Sequence, residues 1–271
     1  MKMDANKTRS DLLAHAVSID LEGDPTAARI FAFAAVVQDP GVPDLVAEGA
    51  VGAALKKLDD FCRGFEHVIG HNILKHDLPH LAAASPTFAG MAEAPIDTLW
   101  LNPLAFPRNP YHHLVKHYQD GRLQTGHVNN PEFDAQLVFE VLENQLAEFA
   151  RLNAKSPDAL TAYHYLCCRE PRCGGFDRVF AEIREAPAPG QDEAENAIRR
   201  LLGTAACSEM VERTLIRLED TSLGWPMAYA LSWISVAGGD SVMPPWVRTQ
   251  FRDASRLVQA LRDNNCGNPA C

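Results

Sequence analysis

The first part of the chain alternates short apolar runs with acidic or glycine-containing breaks, which is typical of strands and turns. Residues 16–19 form an apolar run that leads into Asp20, Glu22 and a Gly-Asp-Pro break. A second apolar run covers residues 28–37. The pattern predicts a β-hairpin in which Asp20 and Glu22 stand where the first strand runs out into the turn.

A helix and a strand–loop–helix unit are predicted next. Residues 51–65 carry apolar side chains at helical spacing. A short strand ends at Gly70, Asn72 can hold the following loop, and Asp77 opens a short helix. Asp77 at this position also suits a plain helix N-cap. Three nearby histidines do not have the spacing of a compact zinc motif. They are His71, His76 and His80.

A further strand is predicted at residues 94–101, followed by a proline-rich loop at 102–111 and a helical stretch at 112–118. The repeated prolines argue against regular helix or central strand in the loop. Side chains of this region could hold a phosphate backbone or stack a base. They are Arg108, Tyr111, His113 and Lys116. The alternative is a solvated loop with one packing tyrosine.

Residues 131–152 predict a long helix, because Pro131 suits a first helical turn and an apolar stripe follows it. Asp134 therefore falls in the first turn or two, where an acid also complements the helix dipole. Beyond about residue 154, apolar residues recur at helical spacing, which predicts a small all-helical domain. The predicted helices of this second half lie at 159–168, 176–183, 194–202, 208–218, 225–236 and 247–261.

Composition and charge limit the classes of function. The 271 residues are 46% hydrophobic, enough for one large core or two modest ones. No apolar run approaches the roughly 20 residues that span a bilayer, and the N-terminus lacks the apolar core of a signal peptide, so we expect a cytoplasmic protein without a membrane partner. The net charge of −10 argues against a broad, sequence-independent nucleic-acid surface. It leaves room for an acidic site that meets phosphate through its cations.

The seven cysteines are an odd number in a chain without an export signal, which favours reduced thiols. Cys167, Cys168 and Cys173 could begin a zinc site, but no second ligand pair follows at the spacing of a ribbon or finger. Buried thiols are the preferred interpretation. Trp225, Trp233 and Trp246 are likewise spaced as core aromatics, and the alternative is that an exposed one stacks single-stranded bases.

The pair formed by Asp20 and Glu22 suggests cation binding. Residues two apart in a strand point to the same face, so these carboxylates would lie side by side. Their mutual repulsion is tolerable when a positive charge sits between them. Hard oxygen ligands select Mg²⁺ or Mn²⁺.

Three acidic motifs occur in a telling order: SIDLEG at 18–23, GHNILKHDLPHL at 70–81 and HVNNPEFDA at 127–135. In this order the chain resembles the DnaQ-like 3′-5′ exonucleases of the DEDD superfamily, over roughly residues 14–152. The resemblance implies an α/β fold with an RNase H-like mixed sheet flanked by helices. It also implies two Mg²⁺ or Mn²⁺ ions that support phosphodiester hydrolysis. The implied ligands are Asp20, Glu22, Asp77 and Asp134, with Glu22 touching both metal and substrate end.

The general base is where the chain departs from the family pattern. The histidine-type branch has a histidine five positions before the last aspartate, where this chain has Asn129. The nearest histidine is His127, which serves as the base if the loop bulges toward the water. The alternative is that Asn129 only orients that water. The tyrosine-type branch would have tyrosine at position 130, which is Asn130 here.

Two longer segments extend the resemblance. Residues 97–118 and 228–248, together with the terminal CGNPAC, look like the exonuclease-bearing N-terminal region of large bacterial RecQ-like helicases. The chain has no Gly-x-x-x-x-Gly-Lys-Ser/Thr motif that would cradle nucleotide phosphates, so a motor would have to lie elsewhere. The expected organisation has four parts. They are a flexible N-terminus at 1–13, a DnaQ-like domain at 14–153, a smaller all-α domain at 154–265, and a tail at 266–271 that could start a truncated cysteine motif.

The sequence thus predicts a 3′-5′ exonuclease acting on the 3′ ends of DNA, single-stranded or frayed, because one end must thread into the acidic cleft. Asn72, Arg108, Tyr111 and Lys116 are the predicted substrate contacts. A helicase motor in the same polypeptide or complex is the predicted protein partner. One alternative is a non-catalytic module that binds nucleic acid or docks a helicase. The other is trimming of RNA 3′ ends, since nothing in these residues reads a 2′-hydroxyl.

Overall fold

A computed structural model provides the structure of the chain. The residues that it describes are 11–24, 29–84, 94–109, 111–112, 114, 130–170, 172–240 and 242–262. They form two compact units. The first comprises Met1–Thr98 with Leu114–Glu143, and the second comprises Leu99–His113 with Asn144–Cys271. These units overlap the predicted domains at 14–153 and 154–265, and they place residues 99–113 and 144–153 with the helical part.

The first unit is built on a five-stranded mixed sheet with the order β3-β2-β1-β4-β5. Its strands are β1 (Ala16–Asp24), β2 (Arg29–Val37), β3 (Leu45–Glu48), β4 (His67–Gly70) and β5 (Pro95–Asp97). β2 is antiparallel to both β1 and β3, whereas β4 runs parallel to β1 and β5 runs parallel to β4. The predicted hairpin and the strand ending at Gly70 are confirmed, as is the α/β class.

Along the described part of the chain, five helices precede, separate or follow the strands of this sheet. They are α1 (Asp11–Ala14), α2 (Gly52–Cys62), α3 (Asp77–Ala84), α4 (Thr98–Ala105) and α5 (Pro131–Lys155). The predictions of α2, of α3 starting at Asp77 and of α5 starting at Pro131 are confirmed. α5 begins in the first unit and continues into the second.

The core of the first unit lies on one face of β1. Ile19 and Leu21 belong to the same buried apolar cluster as Leu55 and Leu58 of α2. Removing these side chains from water stabilises the unit by roughly 1.5–3 kcal/mol for each fully buried large side chain. Because side chains alternate along a strand, the residues between them face the other side. The sheet therefore separates the apolar core from the acidic positions of β1.

The predicted end of the first strand is wrong. β1 continues through Asp20 and Glu22 to Asp24, so both acids lie inside the strand. The antiparallel ladder extends this far, since Asp20 pairs with Ala34 and Glu22 with Ala32. The ladder register shifts between Glu22 and Gly23. An irregularity of this kind accommodates glycine within a strand, which is why the glycine does not end the pairing here.

The predicted strand at 94–101 is also wrong in its second half. β5 ends at Asp97, and α4 follows directly with Pro103 inside it, so the predicted proline-rich loop begins later than expected. The Leu-Trp-Leu run of α4 is buried, and burial on all sides hides the helical period. His112 and Leu114 are not helical, and the other residues of the predicted helix at 112–118 include several outside the described part of the chain.

The second unit is helical, as its apolar spacing predicted. Its further helices are α6 (Pro157–Cys167), α7 (Gly174–Arg184), α8 (Gln191–Leu202), α9 (Ser208–Leu215), α10 (Gly224–Leu231), α11 (Pro245–Gln250) and α12 (Arg252–Leu261). A 3₁₀ turn at Thr221–Leu223 precedes α10, and a π-helical segment at Ser232–Val236 follows it. The single helix predicted at 247–261 is two helices, separated at Phe251.

An aromatic cluster forms the centre of the second unit. The Trp100 ring packs edge-on against Trp225 at 5.0 Å and against Phe251 at 4.8 Å between ring centroids. Trp225 is 1% exposed, which confirms its predicted core position. The Tyr229 hydroxyl donates to the Trp100 carbonyl at 3.0 Å, so α4 is held by hydrogen bonding as well as by ring packing. Among the described residues, no helix has the length and apolar character needed to cross a membrane.

Candidate carboxylate site

Three of the four predicted metal-binding carboxylates come together in the first unit. Asp20, Glu22 and Asp134 each offer a carboxylate oxygen, and these oxygens all lie within 4.8 Å of one another. Asp20 and Glu22 share the face of β1 opposite its apolar residues, as their spacing predicted. Glu22 and Asp20 precede Asp134 by 112 and 114 residues, and the fold joins them to the first turn of α5.

The start of α5 fixes where Asp134 projects. The Asn130 side-chain oxygen accepts the Phe133 N–H at 3.2 Å, and its carbonyl accepts the Asp134 N–H at 3.0 Å. This is the arrangement of an asparagine N-cap, followed by Pro131 at the first helical position. Asp134 is 3% exposed, so its carboxylate is held in a protected position near the positive end of the helix dipole.

Asp77 joins the site through the backbone of β1. Its Oδ1 accepts the N–H of Leu21 at 3.2 Å, and Leu21 stands between Asp20 and Glu22. Asp77 is 2% exposed. Among the described residues, the group with mutual separations of 4.8 Å or less contains Asp20, Glu22 and Asp134 but not Asp77. Asp77 is therefore tied to the site by a hydrogen bond, which goes beyond the local role of a helix N-cap.

His76 is a neighbour of the acids that the sequence analysis did not assign to the site. Its Nδ1 lies 3.4 Å from Asp77 Oδ1, and this hydrogen bond raises the pKa of His76, with Glu22 adding a smaller effect. The His76 ring packs against His80 with centroids 4.7 Å apart, and the His80 ring nitrogen Nδ1 donates to the His76 carbonyl. The sequence could have indicated this neighbour, because His76 directly precedes Asp77 in the second motif.

The loop before α3 contains Asn72, one of the predicted substrate contacts. Asn72 has a φ of 69°, which is the left-handed region that asparagine tolerates better than most residues. Its N–H donates to the Asp97 carboxylate at 2.9 Å, and its carbonyl accepts the N–H groups of Lys75 and His76. The structure thus gives Asn72 a loop-forming role, and its contact with substrate stays a prediction.

The remaining predicted site residues are not gathered with the carboxylates. His127, Asn129 and Lys116 lie outside the described residues. Arg108 and Tyr111 belong to the second unit and are exposed. Arg108 lines a cleft of about 380 Å³ in that unit, together with two further cations, Arg151 and Lys155. The cleft is partly charge-balanced, because Glu148 pairs with Arg151 and Asp240 lies 3.9 Å from Arg108.

The donor set of the carboxylate site fits hard divalent cations. All of its ligand atoms are carboxylate oxygens, which Mg²⁺ and Mn²⁺ prefer over nitrogen or sulfur. Carboxylates this close repel each other when all are ionised, and a cation between them offsets that repulsion. Asp20, Glu22 and Asp134 are therefore the residues that could hold a metal ion directly, with Asp77 beside them.

A second cluster, formed by His164, Cys168 and Asp177, lies in the second unit. His164 Nε2 is 2.7 Å from Asp177 Oδ1, and its Nδ1 is 2.8 Å from Arg184 Nη1. Because a guanidinium can only donate, Nδ1 accepts and Nε2 carries the proton. A cation on Nε2 would have to displace that proton and leave Nδ1 facing Arg184. We therefore interpret this cluster as a hydrogen-bonded array around a neutral histidine.

Burial is the main reason that His164 stays neutral. It lowers the pKa of His164, the hydrogen bond from Nε2 to Asp177 partly opposes this, and Arg184 lowers it further. Burial also raises the pKa of Cys168 and of the neighbouring Cys167, so both thiols stay protonated. The predicted reduced, largely buried cysteines are confirmed for Cys62, Cys167 and Cys173.

Comparisons of the chain with protein-family models, with curated protein sequences and with solved structures give no significant match.

Proposed function

We propose that the chain is a metal-dependent 3′-5′ exonuclease of the DnaQ-like, DEDD type. The observation that carries this proposal is the convergence of Asp20, Glu22 and Asp134 within 4.8 Å, with Asp77 hydrogen-bonded to the strand between the first two. These are the four residues that the family resemblance selects from a chain with 35 acidic side chains. Chance convergence of that particular set is a poor explanation.

The sheet supports the same proposal. β1, which carries two of the acids, is the central strand, with antiparallel β2 on one side and parallel β4 on the other. Asp77 follows β4, and Asp134 lies in the first turn of α5, in the part of that helix that belongs to the first unit. An RNase H-like core would have this arrangement, so we place the fold of the first unit in that class as part of the proposal.

The carboxylates share the binding of cations in the proposed reaction, and Glu22 and Asp77 have additional contacts. Asp20, Glu22 and Asp134 bind the cations, and Glu22, half-buried on β1, is positioned to meet the substrate end as well. Two bound Mg²⁺ or Mn²⁺ ions would supply an activated water and neutralise charge on the phosphoryl group and the leaving 3′ oxygen. Asp77 is oriented by the Leu21 N–H, which its Oδ1 accepts, and in the proposal its carboxylate helps to hold the cations.

The proton acceptor in the proposal is His127, with Asn129 orienting the water as the alternative. Both precede the capped start of α5, only a few residues before Asp134. A histidine is suited to this task because its ordinary pKa lies near neutral pH.

The proposed substrate is the 3′ end of DNA, single-stranded or frayed, in the cytoplasm. RNA is the second candidate substrate, since carboxylates and cations contact the phosphate, which both polymers share. A RecQ-like helicase motor, in the same polypeptide or complex, is the proposed partner, in keeping with the resemblance of residues 97–118 and 228–248.

The alternative is a non-catalytic module that binds nucleic acid. It is favoured by Asn129, which stands where the histidine-type branch has its general base. One assay decides between the two. Oligonucleotides labelled at the 5′ end, one DNA and one RNA of the same sequence, are incubated with Mn²⁺ and then with EDTA as a control. The proposal expects a ladder that shortens from the 3′ end and stops with EDTA. Retention of intact oligonucleotide on the protein would favour the binding module, and a ladder for RNA alone would favour RNA trimming.

A further inference from the structure

Residues 71–76, which connect β4 to α3, deliver Asp77 to the carboxylate site through an unusual backbone path. Asn72 is in the left-handed region, which costs a non-glycine residue on the order of 1 kcal/mol and persists only when its surroundings hold it. This segment, which we call the Asp77 loop, therefore needs external contacts.

Asp97 supplies two of these contacts. It is 0% exposed and lies at the end of β5, directly across from Gly70 of β4. One carboxylate oxygen accepts the Asn72 N–H at 2.9 Å, and the other accepts the Leu74 N–H at 3.1 Å. Charge-assisted bonds of this kind are stronger than bonds between neutral groups. A single buried carboxylate thus holds the backbone N–H groups of the residues before and after Ile73.

The next residue, Thr98, fixes the start of the same loop. Its hydroxyl donates to the Gly70 carbonyl at 3.2 Å and lies 2.9 Å from His71 Nδ1. We call the two residues the Asp97–Thr98 clamp. Together they hydrogen-bond to the end of β4 and to the loop at four positions, Gly70, His71, Asn72 and Leu74.

The conformation that the clamp selects leads directly to Asp77. The Asn72 carbonyl accepts the His76 N–H at 2.9 Å, and the Ile73 carbonyl accepts the Leu78 N–H at 2.9 Å. Asp77 is held between these two bonds. A rotation of the backbone at Asn72 would move the carbonyls that anchor the start of α3.

Close packing links the loop to the end of β4. A Cβ added at Gly70, the last residue of β4, would lie 2.9 Å from Ile73 Cβ and 3.2 Å from the Ile19 carbonyl oxygen of β1, so Ile73 packs against β4 as closely as a glycine permits. Ile73 is 0% exposed within the core cluster. The loop has little freedom to shift sideways, and the clamp determines its remaining backbone conformation.

We propose that the Asp97–Thr98 clamp is a positioning device for the carboxylate site, acting through Asp77. The inference rests on the proposed function, because it assumes that Asp77 helps to hold the cations. Without the clamp, the backbone relaxes at Asn72. The Asp77 carboxylate then moves away from the Leu21 N–H that orients it. The protein then binds divalent cations more weakly while it remains folded.

The test is Mn²⁺ affinity, measured by titration calorimetry on the full chain without nucleic acid. Asp97→Asn keeps the side-chain volume but offers one oxygen, so its amide N–H₂ opposes one loop N–H. We expect its dissociation constant for Mn²⁺ to rise on the order of tenfold, as for outer contacts of metal ligands. Amide exchange at Asn72 and Leu74 should accelerate. Nuclease activity should recover toward the original value as Mn²⁺ is raised.

Asp59→Asn is the matched control. Asp59 is a buried aspartate of α2 in the same unit, and its carboxylate pairs with Arg63. This change should lower thermal stability without changing Mn²⁺ affinity. If Asp97→Asn behaves like Asp59→Asn, the clamp is a fold-stabilising feature and the proposal is overturned.

Further variants separate a failure of the cation site from a failure of the clamp. Asp20→Asn tests the cation site itself, and original Mn²⁺ affinity in that variant refutes the proposed function. Asp77→Asn tests the premise that Asp77 helps to hold the cations, and original affinity there overturns the clamp proposal. Loss in Asp77→Asn without loss in Asp97→Asn refutes the clamp alone. If Asp97→Asn does not fold, Thr98→Val removes the second half of the clamp at nearly constant volume. Unchanged Mn²⁺ affinity and unchanged exchange at His71 in that variant would overturn the proposal.

Discussion

The Asp77 carboxylate accepts a hydrogen bond from the backbone N–H of Leu21 across 56 positions of sequence, with an Oδ1–N distance of 3.2 Å. Leu21 separates Asp20 from Glu22, and its own side chain is buried in the core. One strand residue therefore anchors the apolar core with its side chain and orients a buried acid with its backbone. This bond joins the second acidic motif to the first.

If Asp20 and Asp134 bind the proposed cations, loss of either carboxylate should greatly reduce activity. Asp20→Asn and Asp134→Asn keep side-chain volume but remove a charge from the three-carboxylate group. Because a bound cation contributes several kcal/mol to such a reaction, each change should slow release of mononucleotides at least about 100-fold. The rate is measured in Mn²⁺ on 5′-labelled DNA.

Asp60→Asn is the control for this series, since Asp60 is exposed on α2 and away from the group. It should leave the rate unchanged. Full activity in either Asp20→Asn or Asp134→Asn would refute the four-carboxylate assignment.

The identity of the general base can be separated from water orientation. If His127 accepts the proton, His127→Gln should lower the rate by on the order of 10²–10⁴ and remove the acidic limb of the pH–rate profile. If Asn129 only orients the water, Asn129→Ala should have the larger effect and leave that limb in place. The measurement is the single-turnover rate at saturating Mn²⁺ as a function of pH.

The cations of the second-unit cleft test the predicted substrate contact at Arg108. If Arg108, Arg151 and Lys155 contact phosphates, replacing all three with glutamine should reduce the slope of log affinity against log salt by about 2 for single-stranded DNA. Fluorescence anisotropy with a labelled oligonucleotide gives that slope. Arg213→Gln is the matched control, since Arg213 is equally exposed and pairs with Glu209 as Arg151 does with Glu148. An unchanged slope in the triple variant would exclude the cleft from DNA binding.

His164 should make the second unit less stable in acid. Its pKa is below the ordinary 6.5 in the folded protein, chiefly because it is buried, so the folded state prefers the neutral ring. The contribution is fully present above about pH 6.5 and is lost as pH falls toward the lowered value, since the unfolded chain then binds the proton more readily. Protonation would also place a second cation beside Arg184, while Asp177 and Glu193 partly offset it.

The check is thermal unfolding between pH 5 and 8, compared with His164→Gln. Subtracting the two profiles removes other titrating groups, including His76, whose raised pKa acts in the opposite direction. A stability difference that does not vary with pH would contradict the neutral-histidine assignment.

Much of the site could be predicted from sequence because its parts are local. The apolar period predicts the hairpin, α2 and the long α5, while Pro131 marks where α5 begins. Asp77 was correctly placed at the start of α3. The three motifs also selected the acids that the fold gathers, since their order along the chain identifies them before any contact is known.

Other features could not be predicted because they depend on distant partners. β1 continues past its acids because β2 supplies hydrogen-bond partners at Ala34 and Ala32. α4 is helical because Trp100 packs in an aromatic cluster of the second unit, which overrides the strand-like composition of its sequence. In both cases local propensity contributes less to the free energy of folding than the burial and strand pairing that tertiary contacts provide.

The sequence alone determined which carboxylates are candidates for cation binding. Residue type identifies the acids, and the local hydrophobic period shows whether each lies on a strand or at the start of a helix. The tertiary structure decided that three of them meet within 4.8 Å and that Asp97, which no motif singled out, holds the loop before the fourth. Convergence depends on how β1, β4, β5 and α5 are arranged in space. No local pattern encodes a hydrogen bond across tens of residues.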